Sequence, residues 1–217
     1  MRTIISFRGW YVRPTVVNVL FVVTEHTRYL NAERQRRYER TAQLLEELAG
    51  TPPTVVHYAD RAAFCDSDAV VFSGSDSPWA EHDASELGRL RDFAAGCGRP
   101  VLGICAGMQL LAQCAGGEIE HAAEAERGFL PIEVTEGSGL FRGLPERVTV
   151  YQSHTDEITV LPQGFRILAS SPQSRIQAIA SDSLGFWGTQ FHPERATDEH
   201  PAGRIVLENF FELARER

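Results

Sequence analysis

From Thr15 onward the chain alternates short apolar runs with longer stretches of helical spacing. Val16-Val17-Asn18-Val19-Leu20-Phe21-Val22-Val23 is a nearly continuous β-branched and apolar run, the pattern of a strand buried on both faces. Over residues 32–49, Tyr38, Thr41, Leu44, Leu45 and Leu48 share one face, and Gly50 followed by two prolines stops the helix. Thr54-Val55-Val56-His57-Tyr58 predicts a second strand. Ala69-Val70-Val71-Phe72 predicts a third, which ends abruptly in Ser73-Gly74-Ser75-Asp76-Ser77-Pro78. Leu87, Leu90, Phe93 and Ala94 mark a helix over 83–96. Val101-Leu102-Gly103-Ile104 is a fourth strand, and Met108, Leu111, Ala112 and Ala115 mark a helix closed by Gly116-Gly117.

The second half is richer in strands, expected at 130–135, 147–151, 165–170, 175–180 and 185–191. It ends in a helix over 203–215 with Ile205, Val206, Phe210, Phe211 and Leu213 on its apolar face. Strand and helix alternation of this kind predicts an α/β fold, an open and mostly parallel sheet with helices on both faces. No repeat, low-complexity tract or linker divides it. A single domain over 15–217 is expected, and residues 1–14 form a loose extension or an extra edge strand.

Composition narrows the chemistry. The 217 residues suit one α/β domain. All 21 basic residues are arginine, which excludes a lysine Schiff base and a Walker A phosphate loop. The formal charge of −8 argues against nucleic-acid binding. Residues 1–40 nevertheless hold eight arginines against Glu25, Glu33 and Glu39; on the first helix this is a solvated basic face or a dock for an acidic partner. The longest apolar run is far too short to cross a bilayer, and no secretory signal is evident. A cytoplasmic protein with reduced thiols, and no membrane partner, is expected. Cys65, Cys97, Cys105 and Cys114 show no zinc-ligand spacing, so no metal site is expected.

Two motifs carry candidate chemistry. In Gly103-Ile104-Cys105-Ala106-Gly107-Met108-Gln109 a buried strand runs straight into a helix, with Cys105 at the junction between small residues. This is the pattern of a nucleophile elbow. It aims a thiol above the strand ends, where an open α/β sheet keeps its ligand crevice, and the helix N-terminus favours negative charge on sulfur. In Phe191-His192-Pro193-Glu194, His192 and Glu194 face the same side of an extended segment, so the carboxylate can hold the ring and stabilise an imidazolium. Read alone, Cys105 is also compatible with a buried structural thiol. His26, His57, His82, His121 and His200 read as ordinary surface or hydrogen-bonded histidines. Trp79, next to the loop after the third strand, walls the pocket or faces a partner.

Together with Gln190 before Phe191, these motifs resemble those of the class I (triad-type) glutamine amidotransferase family. Phe72-Ser73-Gly74-Ser75, Glu126-Arg127-Gly128, Leu140-Phe141-Arg142-Gly143-Leu144-Pro145 and Tyr151-Gln152-Ser153-His154-Thr155-Asp156 extend the resemblance over nearly the whole chain. It implies a flavodoxin-like fold and hydrolysis of L-glutamine to glutamate and ammonia through a cysteine thioester, without cofactor. It implies Cys105 as nucleophile, His192 as general base and acid, and Glu194 as the orienting carboxylate. The Ser75 and Ala106 N–H groups would form the oxyanion hole. Gly74 and Gln109 would bind substrate, and a turn at Ser153, His154 and Thr155 would hold its amino-acid end. With no synthase domain and no phosphate loop evident, the ammonia would pass to a separate synthase subunit.

Where the family has Gly-Gly-Pro or Gly-Pro-Gly after the third strand, this chain has Gly74-Ser75-Asp76-Ser77-Pro78. A Cβ at Ser75 changes which turn is comfortable. Two other readings use the same residues: a freestanding γ-glutamyl hydrolase with the same triad, and a non-catalytic glutamine-binding or scaffolding subunit.

Overall fold

The computed structural model describes residues 16–60 and 67–217. The expected N-terminal extension or edge strand, residues 1–14, and Cys65 lie outside the described residues.

Strand β1 (Val19–Val23) is buried at all five positions. Its side chains alternate between two cores, Val19, Phe21 and Val23 on one face and Leu20 and Val22 on the other. Strands β2 (Thr54–His57), β3 (Ala69–Phe72) and β4 (Val101–Ile104) complete the first half. Helix α1 (Ala32–Ala49) begins where the Asn31 side chain accepts from the N–H groups of Glu33 and Arg34, and it ends at Gly50 in the left-handed region. Helices α2 (Ala84–Gly96) and α3 (Ala106–Cys114) follow β3 and β4. Helix α4 (Ala202–Arg215) closes the chain, burying Val206, Leu207, Phe210 and Phe211 beside α1, while α2 and α3 cover the opposite face.

The second half adds β5 (Glu118–Val134), β6 (Arg147–Val160), β7 (Arg166–Ser170), β8 (Ala178–Ser181) and β9 (Phe186–Thr189). All nine strands form one sheet, in the order β2-β1-β3-β4-β9-β8-β7-β5-β6. The first five in that order are parallel and the remaining pairings antiparallel. The expected mostly parallel sheet is therefore the half that ends in the motif-bearing loops, extended by an antiparallel half.

Two strands are longer than the apolar pattern predicts. β5 begins at Glu118 and not near residue 130, and β6 runs to Val160 and not to 151. They pair as a long ribbon from Glu118 opposite Val160 to Glu133 opposite Arg147. Over residues 118–129 only Ala122 and Glu126 are buried, so the sequence lacks the alternation that marks a half-buried strand. Ser153, His154 and Thr155 lie within β6, not in a turn as expected.

The β4–α3 junction depends on backbone approach. A Cβ at Gly103 would stand 2.4 Å from the Gly107 carbonyl carbon, and one at Gly107 would stand 2.7 Å from the Phe72 carbonyl oxygen. Gly103→Ala should therefore cost about 2–4 kcal/mol in a urea denaturation measurement. Gly88→Ala, in α2 where nothing lies within 4 Å of the added methyl, should instead stabilise by about 0.5–1 kcal/mol. Equal effects at the two positions would contradict the packing described.

Candidate active site

Because β1, β3, β4 and β9 are adjacent and parallel, the residues that follow them emerge on one edge of the sheet. Thr24-Glu25 follow β1, Ser73 to Ser77 follow β3, Cys105 follows β4, and Gln190 to Glu194 follow β9. This is the carboxyl edge of an open α/β sheet, where such folds keep their crevices.

Cys105 has φ 51° and ψ −108°, and among the described residues it alone has positive φ without being glycine. Its N–H donates to the Thr189 carbonyl at 2.7 Å, and its own carbonyl accepts from Gln109 N–H at 3.1 Å. Strand pairing on one side and helix bonding on the other hold the unfavourable dihedral in place. Ala106 opens α3, where the first N–H groups have no intrahelical acceptor.

His192 Nδ1 lies 2.7 Å from Glu194 Oε1, with both side chains buried. The His192 N–H donates to the Tyr151 carbonyl at 2.8 Å, which fixes the backbone that carries the ring. The imidazole also lies within the field of Cys105, which raises its titration. Gly74 lies against both groups: a Cβ there would fall 2.8 Å from His192 Cε1 and 3.4 Å from Cys105 Cβ. Cys105, His192, Glu194 and Gly74 thus converge. Burial alone would push the His192 imidazole down, but the Glu194 carboxylate and Cys105 outweigh it and raise it to about 10. Burial likewise opposes ionisation of Glu194, and the neighbouring His192 holds that carboxyl below its usual range.

The loop after β3 is held by a residue that sequence reasoning missed. Glu25 is fully buried. Its Oε1 accepts from the Ser75 hydroxyl at 3.2 Å and from the Ser77 hydroxyl, and its Oε2 accepts from Asp76 N–H at 3.2 Å. The Tyr38 hydroxyl sits 3.0 Å from Glu25 Oε2 and 3.1 Å from the Gly74 carbonyl oxygen. Arg34 and Arg37 each stand 3.6 Å from Glu25 and bridge Asp76 at 3.0 and 2.8 Å. Burial works against the Asp76 carboxylate, but these guanidinium groups keep it below the usual range. Two arginines of the basic face on α1 are therefore engaged with this loop. The Asp76 N–H is committed to Glu25 at 3.2 Å and the Ser77 N–H to the Ser75 hydroxyl at 3.0 Å. The only signal for Glu25 was a lone acid at the end of a buried strand.

The residues expected to bind substrate are placed unevenly. Gln109 is buried beside Cys105, with Oε1 3.1 Å from Trp79 Nε1 and Nε2 2.9 Å from the Asp156 carbonyl. Trp79 is thus tied to α3 through Gln109. His154 points inward: its Nε2 lies 3.0 Å from Glu126 Oε2, which also accepts from Gln177 Nε2 at 2.6 Å. Ser153 and Thr155 flank it on β6 with their side chains half-buried. Beside Glu194 a polar cleft of about 480 Å³ opens, lined among others by Arg34, Arg37, Arg40, Asp76 and Arg195. Among the described residues, no cluster of three or more His, Cys, Asp or Glu is arranged to hold a metal ion, and no helix is long and apolar enough to cross a membrane.

The family model for glutamine amidotransferase class-I matches residues 40–214. This chain belongs to that family. Among curated relatives, it is 36% identical over 151 residues to a glutamine-hydrolyzing GMP synthase subunit of Sulfurisphaera tokodaii, covering 69% of this chain and 78% of that one. The corresponding subunit of Thermococcus kodakarensis is 43% identical over 117 residues, covering 54% of this chain and 61% of that one. Against the GMP synthase of Thermus thermophilus the match is 49% over 117 residues, but it spans only 23% of that longer protein. A solved Thermoplasma acidophilum structure, ascribed to a GMP synthase subunit, superposes with a TM-score of 0.77 at 27% identity, covering 92% and 95% of the two chains. A glutamine amidotransferase of Thermotoga maritima gives 0.70 at 17% identity, a likeness of fold. The family expected from the motifs is thus the family shown, and the α/β fold it implied is the one observed.

The His192 environment makes a pH prediction. An imidazole ordinarily titrates near 6.5. With the folded value raised, the pair's contribution to stability is fully present below that pH and is lost as pH rises toward about 10. In an NMR titration, the His192 ring of Cys105→Ala should titrate below that of the parent, because one of the two raising partners is gone. An unchanged midpoint would mean that the sulfur exerts no field on the ring.

Proposed function

We propose that the chain is a glutaminase subunit that hydrolyses L-glutamine to glutamate and ammonia. The observation that carries this reading is the convergence of Cys105, His192 and Glu194 at the carboxyl edge of the parallel strands. In the proposed first step the Cys105 thiolate attacks the side-chain carboxamide carbon, and a C–S bond forms. The oxyanion rests on the Ser75 and Ala106 N–H groups. The C–N bond then breaks as His192 gives its proton to the departing ammonia, leaving a γ-glutamyl thioester. In the second step His192 takes a proton from water, hydroxide adds to the carbonyl, and the C–S bond breaks to release glutamate. Glu194 stabilises the imidazolium and keeps Nδ1 engaged, so that the other ring nitrogen serves the sulfur and the substrate.

Gly74 and Gln109 would line the carboxamide pocket, and β6 at Ser153, His154 and Thr155 would meet the amino-acid end. His154 acts there through Glu126, as a buried support for the strand. Two of the curated relatives are named as glutamine-hydrolyzing GMP synthase subunits, and the reading extends to ammonia delivery in trans to a synthase subunit.

Purified protein should release glutamate from L-glutamine, and Cys105→Ala should abolish it. Glu194→Gln should slow release by about 10²-fold with KM little changed, because the carboxylate orients the base and does not touch substrate. A parent protein that forms no thioester and releases no glutamate, with a synthase subunit present or absent, would overturn the assignment. Turnover confined to γ-glutamyl peptides would replace it with the hydrolase reading.

A further inference from the structure

Cys105 Sγ has a second polar neighbour besides His192. The Nε2 of Gln190, a fully buried residue, lies 3.5 Å from the sulfur. Which end of a side-chain amide faces a neighbour follows from its hydrogen-bond network, and here the network is bounded by groups with no choice of role. The Trp79 indole N–H can only donate, and it meets Gln109 Oε1 at 3.1 Å. The Asp156 main-chain carbonyl can only accept, and Gln109 Nε2 meets it at 2.9 Å. Both contacts orient Gln109 the same way. Its Nε2 also lies 3.2 Å from Gln190 Oε1, so that oxygen is the accepting end of Gln190. The Gln190 amide must then turn its N–H groups toward the sulfur.

We propose that Gln190 is a further catalytic residue, donating a hydrogen bond to the Cys105 thiolate with a polarity imposed through Gln109 and Trp79. The proposal rests on reading Cys105 as the nucleophile. A donor on sulfur favours thiolate over thiol and aims a lone pair away from the amide, toward the carbon to be attacked. It also accounts for a glutamine at the end of β9 with no access to water, a costly placement unless both ends of the amide are bonded. Gln109 and Trp79 act through Gln190 and are positioning residues. Their bonds link the oxyanion loop, α3 and β6 to the nucleophile.

The test reads thiolate directly and uses no glutamine. Alkylation of Cys105 by iodoacetamide, located by peptide mass spectrometry, is followed across pH in the full-length protein. Gln190→Met keeps the length of the side chain and removes the donor. Its alkylation profile should move to higher pH by about one unit, with rates converging at the alkaline end. Gln109→Met, one link further away, should move it in the same direction by less. Thermal melts run beside both variants. A folded Gln190→Met with the parent's profile overturns the proposal, and if that variant does not fold, a parent-like profile in Gln109→Met does the same. A displaced profile in a protein that releases no glutamate keeps the hydrogen bond and removes the glutaminase reading. Glutamine hydrolysis with an unmoved profile does the reverse.

Discussion

The edge that carries the site depends on one buried charge. Glu25 loses all contact with water, a costly placement for a carboxylate unless donors and countercharges surround it. Those donors come from the Ser75, Ser77 and Tyr38 hydroxyls and the Asp76 N–H, and the countercharges come from Arg34 and Arg37. One side chain thus joins the end of β1, the loop after β3 and helix α1. Here the Ser75-Asp76-Ser77 loop is held from below, by side-chain hydrogen bonds that glycines cannot make.

This arrangement bears on electrostatics as well as shape. The fixed negative charge of Glu25 stands one loop away from where an oxyanion would develop, an unfavourable neighbour by itself. The two guanidinium groups shared with Asp76 offset it, and Arg37 also adds to the field that keeps Glu194 ionised. The basic face of α1 therefore has a purpose inside the protein, independent of any partner. The charge excess over residues 1–40 gave no hint of this, because net charge records sign and not the partner each arginine finds.

Legibility in the sequence follows the physics of each element. The parallel half was readable because strands buried on both faces, such as Val19–Val23 and Val101–Ile104, appear as unbroken apolar runs, and their helices carry a one-sided stripe. The β5–β6 ribbon was half hidden. Its outer portion is exposed on both sides, so residues 118–129 show no alternation, and its few buried positions include a glutamate. At the site, the meeting of Cys105, His192 and Glu194 was readable because a cysteine at a strand-to-helix junction and a His-Pro-Glu segment are local backbone patterns. Glu25 meets Ser77, Trp79 meets Gln109 and Gln190 meets Cys105 across 52, 30 and 85 positions, and no local spacing encodes such contacts. The turn at 153–155 implied by the family resemblance is instead a strand, whose inward histidine is matched by Glu126.

The same topology that assembles the site also limits how it can vary. Four parallel strands each contribute the residues that immediately follow them, so no site residue can shift along its strand without breaking the ladder beneath it. Cys105 is fixed further by its N–H on Thr189, the residue directly before Gln190, so the thiol and the sulfur-facing amide are set by one β4–β9 register. The loop after β3 has no such constraint. Its register ends at Phe72, paired with Gly103; Ser73 N–H still donates to the Val22 carbonyl at 3.0 Å, and the Asp76 and Ser77 N–H groups donate to the side chains of Glu25 and Ser75. That is where the chain carries Ser75-Asp76-Ser77, and where a buried carboxylate and two arginines supply the rigidity.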